Sequence, residues 1–312
     1  MTLGSLENPI RVTWDLFGSG YAAADETVTT VLQRLIEARP FFVLLEEQPL
    51  LHPQIFKIAA QLSAHGCGLT LMLDGTPDEI FVLSDHSLHG AELLLRAEPF
   101  CTDGQPDEQA IENVIREVRD AGFNPGLSLV PGRNNIEFLL SLYELCCNLE
   151  LPRFKLPNVR IDNNFQALSD RALRPDDLEN FRQEISAKGH EKGACQLEIH
   201  DLFLWELLAP ERSESRSEYG GCQAGNSLAH IRFDGAVWPC ITWPSRLGSL
   251  LDSSFATIWA SAKRAGIRRA VAAEPAGCSG CQDYGICFGG CRGLSQVLDI
   301  AGGIDPMCKG PR

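Results

Sequence analysis

Seven of the chain's twelve cysteines, Cys222, Cys240, Cys278, Cys281, Cys287, Cys291 and Cys308, fall within the last 91 residues. The spacing Cys278-x2-Cys281-x5-Cys287-x3-Cys291 lets several sulfurs converge on one metal centre. Glycines stand where the tight turns of such a centre need them, at Gly277, Gly280, Gly285, Gly289, Gly290 and Gly293. The segment Met1–Pro9 has neither the basic start nor the apolar run of an export signal. The expected compartment is therefore the reducing cytoplasm, where a cysteine cluster reads as metal binding before it reads as disulfides.

Zinc and iron–sulfur both remain open on spacing alone. Two structural zinc sites need eight ligands, and seven cysteines fall one short unless His230 completes a Cys3His set. Two cubane clusters tolerate the shortfall better, because one iron can take a non-cysteine ligand.

The rest of the chain follows a different pattern. Residues 1–210 alternate short apolar runs with amphipathic stretches. Strands are expected at Ile10–Leu16, Phe41–Leu45, Leu69–Leu73, Ile80–Leu83, Leu127–Val130, Phe154–Ile161 and Gln196–Ile199. Helices are expected at Glu26–Ala38, Pro53–His65, Asp107–Ala121, Asn134–Leu149 and Asp176–Lys188. Repeated strand–helix units of this length make an α/β fold with a parallel sheet, doubly wound or a full or partial barrel. The polar, non-periodic run Pro210–Glu218 supplies a linker over 211–221, and the loop-rich tail 222–312 is expected to have a poor apolar core that needs stapling.

Charge and hydropathy narrow the function classes. The net charge is −14, and residues 1–221 carry 18 basic against 35 acidic groups. An acidic surface of this size disfavours phosphate backbones, so no nucleic-acid partner is expected. The longest apolar run, Phe41–Leu45, is far short of a bilayer span, so no membrane association is expected either.

The tail resembles the SPASM domain, a C-terminal extension of many radical SAM enzymes that modify ribosomally made peptides. The resemblance rests on the seven cysteines and on the residues around them: Ile231-Arg232-Phe233-Asp234-Gly235-Ala236-Val237-Trp238-Pro239-Cys240, Leu247-Gly248-Ser249-Leu250, Phe255-Ala256-Thr257-Ile258-Trp259, Phe288-Gly289-Gly290-Cys291-Arg292-Gly293 and Asp305-Pro306-Met307-Cys308. It implies two [4Fe–4S] clusters, one on Cys278, Cys281, Cys287 and Cys308 and the other on Cys222, Cys240 and Cys291. The fourth cysteine common in the family is absent, since no cysteine lies between 222 and 240. Glu218, His230 or a partner's side chain are the candidates for its place.

The front resembles the partial β/α barrel of radical SAM enzymes in frame and order, but lacks their signature. That family carries Cys-x3-Cys-x2-Cys after its first strand; here the loop Phe17-Gly18-Ser19-Gly20-Tyr21-Ala22-Ala23-Ala24-Asp25-Glu26-Thr27 holds no cysteine. The family's Gly-Gly-Glu-Pro after the second strand is replaced by Glu46-Glu47-Gln48-Pro49. Side chains and negative charge therefore stand where bare glycines would let the backbone approach SAM, and no SAM is expected to bind.

An intact SPASM pattern behind a degenerate radical site resembles the accessory SPASM proteins of GeoRSP peptide-modification systems. That resemblance implies a partner maturase of the radical SAM/SPASM type, its precursor peptide as a second partner, and an electron-relay or scaffold role. The alternatives are an independent enzyme using an open cluster iron as a Lewis acid, and a zinc-stapled binding module.

Other features are expected to be structural. Glu46 and Glu47, adjacent on an extended chain, point oppositely and do not pair as a catalytic dyad. His86-x2-His89 reads as a solvated turn and Cys146-Cys147 as core. Lys263, Arg264, Arg268 and Arg269 form a basic helical patch, solvated by default and otherwise a docking face for an acidic partner.

Overall fold

The computed structural model describes residues 6–18, 20–84, 88, 90–161, 165–188, 193–209 and 221–311. Strands β1 (Arg11–Asp15), β2 (Phe42–Glu46), β3 (Gly68–Leu73), β4 (Glu92–Arg96), β5 (Gly126–Ser128), β6 (Arg153–Leu156) and β7 (Gln196–Ile199) lie side by side in chain order, all parallel. Helices α1 (Asp25–Ala38), α2 (Ile55–Ala64), α3 (Pro77–Leu83), α4 (Glu108–Asp120), α5 (Leu139–Asn148), α6 (Phe165–Arg171) and α7 (Pro175–Lys188) fall in the connections between them. This is the winding of a partial β/α barrel. The sheet curls far enough for Arg11 of β1 to bond Glu198 of β7 at 3.3 Å.

Strand alternation sorts the side chains. Val12, Trp14, Val43, Leu45, Leu69, Leu71 and Leu73 pack under the helices, whose apolar stripes, such as Val28, Val31, Leu32 and Leu35 of α1, are buried against them. The intervening positions face the concave side. They include Arg153, bonded to Glu92 at 2.8 Å, and Lys155, 3.5 Å from Glu198.

Three strand expectations are corrected. Ile80–Leu83 is part of helix α3 rather than a strand: the Thr76 hydroxyl accepts from the Glu79 N–H while the Glu79 carboxylate accepts from the Thr76 N–H, and Pro77 opens the first turn. The strand of this unit is β4, whose Leu93-Leu94-Leu95 run is flanked by charges, Arg96 reaching Asp74 at 2.8 Å. The strand expected over Phe154–Ile161 ends at Leu156, because Pro157 has no N–H to continue the ladder. Phe41 and Phe42, expected in a buried strand, are 67% and 51% exposed.

The tail joins the same sheet. β8 (Leu228–Ile231) pairs in parallel with the free edge of β1, setting His230 beside Thr13, and β9 (Ala236–Trp238) and β10 (Gly248–Ser249) follow antiparallel. Leu247, Leu250, Phe255, Ile258 and Trp259 belong to the main core, so the apolar poverty expected of the tail is overturned. Helices α8 (Leu202–Leu208), α9 (Phe255–Trp259), α10 (Ala262–Ala272), α11 (Tyr284–Cys287) and α12 (Arg292–Val297) complete the chain. The expected linker lies outside the described residues except for Gly221.

Candidate metal centres

Cys222, Cys240 and Cys291 form the first group. The Cys222 loop is held by two arginines of α10: Arg268 donates to the carbonyls of Cys222 at 2.8 Å and Ala224 at 3.1 Å, and Arg264 donates to those of Gly225 and Leu6. The basic patch read from the sequence is therefore split, with Arg264 buried and Arg268 turned inward. Cys291 follows Gly290, whose φ of 65° and close approach to the Asp305 carboxylate leave no room for a Cβ. Asp305 accepts from the Cys291 N–H at 2.7 Å and the Met307 N–H at 2.8 Å.

These three thiols act on one another electrostatically. Burial pushes the Cys240 thiol up to about 12, and a charge on Cys222 pushes in the same direction. Burial likewise raises Cys291 well above the ordinary thiol range, reinforced by Cys222, Asp305 and Cys240. Burial and the neighbouring charges disfavour ionisation of Cys240 and Cys291, so a bound cation would favour their thiolates.

Cys278, Cys281, Cys287 and Cys308 form the second group. Cys278 closes a short 3-10 turn and accepts, through its carbonyl, from the Cys281 N–H at 3.0 Å. Cys287 ends α11, and Cys308 is reached through the Asp305 carbonyl, which accepts from the Cys308 N–H at 3.0 Å. All four line one recess with Phe203, Gly277 and Gly289. Burial raises Cys278 to about 11, followed by Cys287, Cys308 and Cys281. Asp305 thus ties the two groups together by side chain and backbone; burial raises its pKa to about 6. A thiol-only donor set suits zinc or iron–sulfur and fits no hard cation. Among the described residues, no three His, Cys, Asp or Glu side chains are gathered as a single-ion site.

A third feature occupies the mouth of the barrel, at the C-terminal ends of β1 and β2. Asp15 and Glu46 are neighbours in register there. Arg160 bonds both, at 2.8 Å to Glu46, and stands 3.5 Å from Glu47. His230 Nε2 lies 2.8 Å from the same Asp15 oxygen that Arg160 bonds, and both Asp15 and His230 are buried. Burial by itself would raise the Asp15 pKa, but His230 and then Arg160 outweigh it and hold the carboxyl below its ordinary range. Burial opposes the Arg160 charge, and Asp15 and Glu46 more than restore it.

Glu46 and Glu47 were expected to point apart; instead both meet one guanidinium. Glu47 adopts a φ of 58° and Gln48 a φ of 51°, so the chain turns sharply where the strand ends. These are left-handed conformations that glycine favours, kept here by residues with side chains. His230 spends its Nε2 on Asp15. Glu218, His86 and His89 lie outside the described residues. Cys146 is core as expected, and Cys147 packs against that core half-buried.

Sequence reasoning missed Asp15, Arg160 and Asn158. Residues 157–161 run from β6 across to the tail: the Ile161 N–H donates to the Ile241 carbonyl, the Thr242 hydroxyl to the Val159 carbonyl, and the Asn158 amide to Cys291 Sγ at 3.3 Å. The available signal was Pro157, which stops the strand and leaves the next polar residues free to reach elsewhere.

Comparison with known proteins agrees with this architecture. Residues 222–282 match the SPASM family, described as an iron-sulfur cluster-binding domain. Streptococcus suis SuiB bound to S-adenosylmethionine superposes with a TM-score of 0.69 at 14% identity, over 98% of this chain and 78% of that one. SuiB bound to its precursor peptide SuiA gives 0.70 over 98% and 77%, also at 14% identity. Native anSMEcpe with bound AdoMet gives 0.65 at 15% identity, over 94% and 92%. Residues 222–282 thus match a SPASM domain, and the chain as a whole shares the fold of SuiB and anSMEcpe.

Proposed function

We propose that this chain is an accessory iron–sulfur protein that does not cleave SAM and that pairs with a radical SAM/SPASM maturase acting on a ribosomal peptide. Residues 222–312 then act as the cluster-bearing unit and 1–210 as a degenerate barrel. Cys278, Cys281, Cys287 and Cys308 hold one [4Fe–4S] cluster; Cys222, Cys240 and Cys291 hold another with one iron open. Bound there, the clusters supply one-electron chemistry. The chain's own part is to position the thiolates, exclude water and present a surface to the maturase and its peptide in the cytoplasm.

The observation that carries this reading is Arg160. Its guanidinium bridges Asp15 and Glu46 and stands 3.5 Å from Glu47 at the strand ends, and the loop after β1 has no cysteine to hold a radical-generating cluster. The peptide is proposed from SuiB, whose fold is shared and which binds the precursor peptide SuiA.

Anaerobic purification with iron, sulfide and zinc counts, followed by assay with SAM and reductant, tests it. About eight irons with matching sulfide and no 5′-deoxyadenosine from the chain alone are expected, with altered turnover when its maturase is added. Release of 5′-deoxyadenosine by the isolated chain would overturn the reading.

A further inference from the structure

We propose that Asn158 is a positioning residue that sets the reduction potential of the centre on Cys222, Cys240 and Cys291. The inference rests on the cluster reading above. Asn158 belongs to the barrel, 133 residues from Cys291, yet its amide Nδ2 donates to Cys291 Sγ at 3.3 Å. Only the nitrogen end of the amide can face a thiolate, because the oxygen end would repel it. The contact is built rather than incidental. The segment carrying it is anchored on one side by Arg160 to Glu46 and on the other by Val159 and Ile161 to Thr242 and Ile241. Asn158 itself is only 9% exposed.

The chemistry follows from charge. Adding one electron to a thiolate-ligated cluster makes a buried anion more negative, which a low-dielectric site resists. A neutral N–H aimed at a ligand sulfur withdraws charge from it and favours the reduced form, so the donor raises the potential. Asn158 is the barrel side chain that hydrogen-bonds a thiol of this centre, where Ile161 and Leu168 add only apolar packing, whereas the second group is bordered by Phe203 and Glu206 of α8 and by residues of the tail. The effect is therefore confined to one of the two centres. In the proposed relay the electron comes from the maturase's own cluster; in the test it comes from dithionite.

The experiment is a dithionite redox titration, followed by EPR, of the anaerobically purified full chain and two variants. Asn158→Leu keeps the volume and removes the donor; Asn158→Asp replaces the donor with an acceptor and a charge. Both variants are expected to keep the wild-type iron and sulfide content. One signal shifts to lower potential in Asn158→Leu and further in Asn158→Asp, while the other stays in place. An unmoved potential in both variants at full iron content overturns the inference and leaves the cluster reading standing. Loss of half the iron in Asn158→Leu overturns it too, because the residue would then hold the centre rather than tune it. Wild-type protein that carries zinc without sulfide overturns the cluster reading and, with it, the inference.

Discussion

The Arg160 guanidinium lies 2.8 Å from the Glu46 carboxylate, although the two residues are 114 positions apart in the chain. Arg160 also bonds Asp15, which is itself bonded to the buried His230 of the tail strand β8. One cation thus joins the ends of the first two barrel strands to the crossing segment after β6. Through Asp15 the network continues into the strand that carries the SPASM region into the sheet.

Arg160→Met is expected to cost about 2–4 kcal/mol, somewhat less than breaking a fully buried ion pair, because the Arg160 side chain retains 24% exposure. Its removal leaves Asp15 and Glu46 facing each other with only His230 to compensate. Urea unfolding of the full chain measures it; a change within 0.5 kcal/mol would mean the network contributes little.

The Asp15 carboxyl sits below its ordinary pKa in the folded protein. A depressed folded pKa means that its contribution is present above the unfolded value, about 4, and is lost as pH falls through the folded value. Stability should therefore drop on acidification below about pH 4 more steeply in the wild type than in Asp15→Asn. Paired unfolding curves across that window check the difference.

Gln48 is exposed and has a φ of 51°, a conformation glycine adopts without penalty. Gln48→Gly relieves left-handed strain of about 1–2 kcal/mol and gives back part of it as unfolded-state entropy. A net gain of roughly 0.5–1 kcal/mol is expected, read as a rise in the thermal midpoint.

Cys240→Ser should remove one centre and spare the other, because Cys240 interacts with Cys222 and Cys291, while Cys278 interacts with Cys281, Cys287 and Cys308. About half the iron and sulfide should be lost, with one EPR signal remaining. Loss of all the iron would show that the two centres assemble only together.

Much of this protein is legible along the chain. The crowding of seven cysteines into the tail is read directly from the sequence, their division into two sets only from the family resemblance, and the strand–helix order follows from local apolar periodicity. The absence of cysteine from the loop after β1 is likewise a property of the sequence alone. Where local signals competed, the reading slipped. Thr76, Pro77 and Glu79 announced a capped helix that the apolar Ile80–Leu83 concealed, and Pro157 ended a strand whose apolar pattern ran on.

Tertiary structure decided the rest. That β8 adds to the free edge of β1, that Arg160 reaches Asp15 and that Asn158 reaches Cys291 all depend on how far the sheet curls and where the tail is laid against it. Those contacts join residues more than a hundred positions apart, which carry no periodic or spacing signal toward each other. Arg264 and Arg268 show the same limit: their helix reads as a basic surface, and only the packing of the Cys222 loop turns them into its supports. The sequence shows which thiols are available for a centre, but the burial and the hydrogen bonds that would set its chemistry come from chain brought in from the other end of the fold.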